Sequence, residues 1–153
     1  MPMDNVVISK MTYDDIPAVY EVEKTAFPIP WPIETLEKEM QNMLATYLVA
    51  KINDTVVAYI GMWFVMDECH ITNLAVHSNY RRKGIASLLI KEMLNLCKEH
   101  ETNIAILEVR ANNIPAQKIY SKFGFESEVI RKGYYKNPDN TREDAIVMIK
   151  ENF

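Results

Sequence analysis

Cysteine is scarce in this chain of 153 residues: Cys69 and Cys97 are the only two, and they do not form a CxxC pair. They are too few for a disulfide scaffold and wrongly spaced for zinc, so both are expected as reduced, buried thiols. The three histidines, His70, His77 and His100, are too scattered to suggest a metal site, and no metal is expected. Long apolar runs are missing. The longest, Ala58 to Met66, is about half of the ~18 residues that a membrane span needs. The N-terminal MPMDNVV carries no signal-peptide pattern. A cytoplasmic protein with no membrane partner is expected. There is no excess of positive charge either: 17 Lys+Arg against 21 Asp+Glu leave a net charge of −4. Nucleic acid is therefore not an expected partner, and any anion site must be local. No tract is repeated or low in complexity, and the seven prolines are spread out rather than gathered into a linker.

What is present is an ordinary globular mixture, 48% hydrophobic and 25% charged. The length predicts one domain over residues 1–153, expected as a monomer. A short strand at Val6 to Ile8 precedes a helix that Thr12 can cap, with Ile16, Val19, Tyr20 and Phe27 at helical spacing. Pro28, Pro30 and Pro32 stiffen a connector around Trp31, and a second short helix begins near Ile33. Three strand-like runs follow, Thr46 to Ile52, Val56 to Met66 and His70 to Val76. Their short connections imply an antiparallel meander. Val76 leads through HSNYRRKG into an amphipathic helix bearing Ile85, Leu88, Leu89, Met93 and Leu96. The strand Asn103 to Val109 completes a βαβ unit. A helix capped by Asn113, with Pro115 in its first turn, then stops at Gly124. Two last strands, about Phe125 to Tyr135 and Ala145 to Lys150, flank KNPDNTRED as a hairpin. The predicted class is α+β: an antiparallel meander joined to a central βαβ unit in one mixed sheet, with helices on both faces.

Arg81, Arg82 and Lys83 sit at the start of the helix near Gly84, where the positive end of the macrodipole disfavours cations by about 0.3–1 kcal/mol each. Such a placement is either a solvated basic turn or an anion site, in which free N–H groups and cationic side chains converge on a phosphate. A nucleotide-hydrolysing P-loop is excluded because GxxxxGK[ST] is absent. The segment ITNLAVHSNYRRKGIASLLI resembles the acetyl-CoA motif of the GNAT superfamily of N-acetyltransferases, R/Q-x-x-G-x-G/A, met here by Arg81, Gly84 and Ala86. That resemblance implies a GNAT-like acyl-CoA N-acyltransferase fold with acetyl-CoA as co-substrate. It places Leu74, Ala75 and Val76 along the pantetheine arm, and Arg82, Lys83, Gly84, Ile85, Ala86 and Ser87 around the pyrophosphate.

Alternation along NIAILEV puts Glu108 on the same side as Ile104 and Ile106. It reads either as a strand-end carboxylate reaching solvent or as a general base among apolar neighbours. Tyr120, one turn beyond Ala116, is by pattern alone a core residue. The runs LEVRANNIPAQKIYSKFGF and GYYKNPDNTREDAIVM, with the early PWP, resemble the ribosomal-protein-alanine N-acetyltransferase branch of the superfamily. This second resemblance implies that Glu108 accepts a proton, Tyr120 donates one, Asn113 contacts the cofactor, and the partner is the N-terminus of a ribosomal protein. Pro32 stands where that branch usually has Ser. Candidates for the acceptor groove are Trp31, Tyr134, Tyr135 and the loop Lys136 to Asp144, where Glu143 and Asp144 could meet a basic peptide. Two alternatives stay open on sequence: a small-amine acetyltransferase, which would favour a deep acidic cleft, and a non-catalytic acyl-CoA-binding module.

Overall fold

A computed structural model describes residues 5–153; residues 1–4, the start of the segment searched for a signal-peptide pattern, lie outside the description. In chain order the elements are β1 (Val6–Lys10), α1 (Ile16–Ala26), α2 (Ile33–Met40), β2 (Ala45–Ile52), β3 (Thr55–Val65), β4 (Glu68–Val76), α3 (Ile85–Glu99), β5 (Ile104–Arg110), α4 (Ile114–Lys122), β6 (Glu126–Lys136) and β7 (Arg142–Lys150). The strands form one seven-stranded sheet in the order β1-β2-β3-β4-β5-β7-β6. Every neighbouring pair is antiparallel except β4 and β5. The predicted mixed sheet, meander and βαβ unit are all present.

Local chemistry sets the element ends. The Asp15 carboxylate accepts from the Thr12 N–H at 2.8 Å and its hydroxyl at 3.2 Å, and a 3-10 turn at Tyr13–Asp15 feeds α1. The regular helix therefore begins at Ile16, one turn after the capping threonine. The Asn113 side chain accepts the Ala116 N–H at 3.2 Å and starts α4 as expected. The last hairpin is tighter than predicted. Asn140, with φ of 69°, turns the chain, and the Asn137 N–H donates to the Thr141 carbonyl at 2.8 Å, so Glu143 and Asp144 are strand residues rather than loop tip.

Two apolar cores flank the sheet. On one side, Ile85, Leu89, Ile90, Met93 and Cys97 of α3, with Tyr120 of α4, pack on Ile60, Met62, Cys69, Leu107 and Met148. On the other, Ile16, Val19 and Val22 of α1 and Leu36 of α2 pack on Tyr47, Val49, Tyr59 and Ala75. Both cysteines are free and buried. Among the described residues no helix is long and apolar enough to cross a membrane.

A bulge in β4 shapes everything that follows. Asn73 opposes Gly61 while Ile71 opposes Met62, so Thr72 is the extra residue. Before the bulge, Cys69 and Ile71 face the α3 core; after it, Ala75 faces the α1 core, while Leu74 and Val76 pack toward α3. The bulge also bends β4. The parallel pairing of β4 with β5 covers only Glu68–His70 against Ile104–Ile106, and beyond it the strands separate.

Candidate active site

Where β4 and β5 part, a cavity of about 300 Å³ opens, lined on the strands by Ile71 to Leu74 and Leu107 to Arg110, and elsewhere by Glu23, Trp31, Tyr120 and Tyr135. The edge of β4 facing it carries main-chain groups without a strand partner. His77 N–H donates to Val57 on β3 at 2.8 Å, so alternation turns the N–H and C=O of Val76 and Leu74 to the open edge. Arg81 Nε takes the Val76 carbonyl at 3.3 Å, and its guanidinium also reaches the Thr25 carbonyl at 3.2 Å. Leu74, which lines the cavity, keeps its pair of main-chain groups for a ligand.

The turn after β4 suits an anion. Arg82 and Gly84 both take positive φ, 63° and 77°, which curls the backbone just before α3. Arg82, Lys83 and Gly84 are exposed, Ile85 is buried, and Ala86 and Ser87 are half-buried. Because the first helical bond runs from Leu88 N–H to Gly84 C=O at 3.2 Å, the N–H groups of Ile85, Ala86 and Ser87 precede it and are available to a phosphate. A split strand edge ending in such a turn fits an elongated acyl-thioester carrier with a phosphorylated tail.

Of the other residues singled out in the sequence, Glu108, Asn113, Tyr120, Trp31 and Tyr135 line the cavity, whereas Ala75, Val76 and Tyr134 do not. Ala75 is packed in the α1 core, and Tyr134 is half exposed with its ring edge-on to Tyr135 at 5.0 Å. Glu108 combines its two sequence readings, lining the cavity while its side chain stays 28% exposed with Arg131 Nε on β6 3.7 Å from its Oε2. Burial, aided by the neighbouring Tyr135 phenol, pushes the Tyr120 hydroxyl well above the usual phenol range, so it keeps its proton at neutral pH. The acidic pair offered to a basic peptide is already engaged. Glu143 binds Arg110 Nη1 at 2.9 Å and the Asn112 N–H at 2.8 Å, and Asp144 accepts the Gly133 N–H at 2.9 Å and faces Lys132 at 3.5 Å.

Sequence reasoning missed Glu23 and Asn73. Glu23 is 1% exposed, lines the cavity, and accepts from the Tyr59 hydroxyl and, at 2.9 Å, from the Trp31 N–H. Its signal was a charged residue at the spacing of Ile16 and Val19 on the buried stripe of α1. Among the described residues no cluster of three or more His, Cys, Asp or Glu is arranged to hold a metal.

A mixed sheet split at its single parallel pair, with a turn suited to an anion at one end and a carboxylate and a phenol within the split, has the architecture of an acyl-CoA-dependent N-acyltransferase. The chain belongs to the acetyltransferase (GNAT) family, which it matches over residues 16–125. Members of this family use acetyl-CoA. A Bacillus subtilis protein is 39% identical over 142 residues, 92% of each chain; its name gives it provisionally the activity of a ribosomal protein bS18-alanine N-acetyltransferase. The crystal structure of the Escherichia coli enzyme of that activity superposes with a TM-score of 0.89 at 31% identity, covering 95% of this chain and 93% of that one. A GNAT acetyltransferase from Elizabethkingia anophelis with acetyl-CoA bound shares the fold at a TM-score of 0.79 and 20% identity, over 97% and 99% of the two chains.

Proposed function

We propose that the protein is an acetyl-CoA-dependent N-terminal acetyltransferase whose acceptor is the N-terminal alanine of a small-subunit ribosomal protein, and that residues 1–153 form one catalytic domain. The observation that carries this reading is the convergence of Glu108 and Tyr120 on the cavity where β4 and β5 part. Acetyl-CoA supplies an acetyl group activated as a thioester. Leu74 N–H, on the open edge and in the cavity lining, polarises the acetyl carbonyl. Glu108, directly or through water, takes the proton of the attacking amine. Tyr120 gives its proton to the departing sulfur. Asn113 and residues 82–87 hold the cofactor, and Trp31 and Tyr135 border the acceptor. Neither buried cysteine is needed, so transfer is direct and no acetylated enzyme accumulates.

The amine's own chemistry favours an N-terminus. At pH 7 an α-amine of pKa about 8 is neutral in about one molecule in ten, whereas a lysine of pKa about 10.4 is neutral in about one in 2,500. A polyamine would call for an acidic cleft. Here the α1–α2 side of the cavity is Ala26, Phe27, Pro28, Ile29 and Trp31 with one carboxylate, Glu23, which is already held by the Tyr59 hydroxyl and the Trp31 N–H, and Glu143 is paired with Arg110. A ribosomal protein as acceptor goes with an enzyme acting in the cytoplasm, and we propose that it acts there as a monomer, without nucleic acid or membrane.

Thiol release from acetyl-CoA, followed with an Ala-starting ribosomal peptide, with its N-terminally blocked form and with a polyamine, tests the reading. Turnover with the free N-terminus only, lost in Glu108→Gln, is expected. Turnover with the polyamine alone would replace the acceptor, and cofactor binding without any turnover would leave only a binding module.

A further inference from the structure

Two hydrogen-bond networks, the first reaching a buried carboxylate and the second part-buried, meet the sheet at the bulge of β4 from the same side. In the first, Tyr59 of β3, which pairs with Ala75 just beyond the bulge, donates to Glu23 Oε1, and Glu23 Oε2 accepts the Trp31 N–H at 2.9 Å. In the second, the Thr72 and Tyr47 hydroxyls lie 3.3 Å apart, and Tyr47 donates to Glu39 Oε1 at 2.7 Å. Since the single Tyr47 proton goes to Glu39, the Thr72 hydroxyl is the donor to Tyr47. Trp63 Nε1 adds a second donor to Glu39 at 2.7 Å. The Tyr47 and Tyr59 rings stack at 6.2 Å and 15°, so the two networks are packed as a unit.

Their other ends lie on α1 and α2, on either side of residues 27–32, which supply Phe27, Pro28, Ile29 and Trp31 to the cavity. This connector has three prolines in five residues and few hydrogen-bond donors of its own. Its position is imposed from outside. The bulge matters because an extra residue lets Thr72 and Asn73, adjacent in sequence, both reach the α1 side of the sheet, where regular alternation would send one to each face.

We infer that Glu23 and Glu39 are a pair of positioning residues, Glu23 linked through Tyr59 to the sheet beside the bulge and Glu39 through Tyr47 to Thr72 in the bulge itself, which together lock the acceptor-side connector to the sheet at the donor strand. The link keeps the wall that receives the amine in register with the Leu74 main chain beside the thioester. What the clamp serves rests on the acetyl-transfer reading; that it holds the connector does not. The Tyr59 hydroxyl stays protonated because burial and the facing Glu23 push it far above the usual phenol range, so the donor is always present. Glu23 is itself pushed up by burial, against the opposing pull of its two donors.

Tyr59→Phe removes one donor and leaves the ring packing in place. Hydrogen exchange resolves the Trp31 amide, and the expected result is exchange at least tenfold faster across residues 27–32, while α3 is unchanged. Steady-state kinetics should show KM for the acceptor peptide raised about tenfold, the loss of one buried charge-assisted bond, with the KM for acetyl-CoA unmoved. Tyr47→Phe should do the same through Glu39, and the double variant should exceed neither single variant by the full product, because the two share one connector. Trp31 exchange unchanged in both single variants at an unchanged melting temperature would overturn the inference. So would acceptor and acetyl-CoA KM values that rise together. If wild type turns over no N-terminal peptide, the exchange data still decide the clamp while the proposed acceptor falls.

Discussion

Glu108 and Tyr120 stand in different surroundings, and the difference suits each to its proposed task. Tyr120 is buried against Phe125, with ring centroids 5.6 Å apart, in a place where a phenolate is strongly disfavoured. It can give a proton only when a better base, such as a thiolate, arrives beside it. Glu108 keeps part of its side chain in solvent and has Arg131 near it, so it can pass a proton outward after each turnover. For Tyr120→Phe we expect kcat to fall about 10²- to 10⁴-fold, the usual contribution of a positioned acid, with acetyl-CoA binding intact. Equilibrium binding beside steady-state rates checks this, and equal loss of binding would assign Tyr120 to packing. Arg131→Ala should leave the cofactor KM unchanged and alter kcat less than tenfold, since the guanidinium is more than half exposed and screened. Glu108 was legible because a carboxylate interrupts an alternating apolar strand, and Asn113 because it precedes a proline-started helix. Glu23 was not, because a glutamate within a surface-type helix looks solvated until Tyr59 and Trp31, from elsewhere in the chain, are seen to satisfy it.

The bulge in β4 is the element on which the site depends, and Gly61 is the residue that allows it. A Cβ at Gly61 would stand 2.4 Å from Cε2 of Tyr47 and 2.8 Å from the Thr72 hydroxyl. Tyr47 lies over this bare stretch of β3 to reach Glu39. Gly61→Ala should therefore cost about 1–3 kcal/mol, in the range of core overpacking, and displace Tyr47 from Glu39. Urea melts give the first number. A peptide KM that rises with the loss of stability identifies the second effect, whereas a stable variant with normal kinetics would show that the ring can shift without consequence. Strands and helices were readable from periodicity almost to their ends, but the bulge was not. Thr72 and Asn73 fit an unbroken strand by composition, and only their registration against β3 shows the added residue. For the same reason sequence alone could not tell that Val76 turns its carbonyl to Arg81 and leaves Leu74 at the opening. The hairpin of β6 and β7 was foreseen, yet the length of its turn rests on Asn140 adopting a left-handed conformation, which puts Glu143 in the strand, where its side chain pairs with Arg110 instead of reaching solvent.

Across the whole molecule, two buried carboxylates make stability depend on pH in opposite directions. At Asp15, desolvation raises the carboxyl, but the Thr12 N–H, Lys51 at 3.0 Å and the Thr12 hydroxyl outweigh it, and the net shift is below the ordinary value of 3.8. Its contribution is present above that value and is lost as pH falls through the lower folded-state pKa. At Glu23, desolvation is stronger than the pull of Tyr59 and the Trp31 N–H, and the net shift is above 4.5. The folded state then holds this proton more tightly than the unfolded chain does. Its contribution is complete below about 4.5 and declines as pH rises through the folded-state pKa, beyond which folding must bury a charge. With one proton involved, the slope is at most about 1.4 kcal/mol per pH unit within that window. The stability of wild type minus that of Glu23→Gln should therefore fall as pH goes from 4 to 8, and the stability of wild type minus that of Asp15→Asn should fall as pH goes from 4 to 2. Subtraction removes the carboxylates common to each pair, and urea midpoints at half-unit intervals supply both curves. A flat Glu23 difference would mean that its charge is matched by its two donors as well as by water. Glu23 would then tie the connector to the sheet without any stability cost that depends on pH.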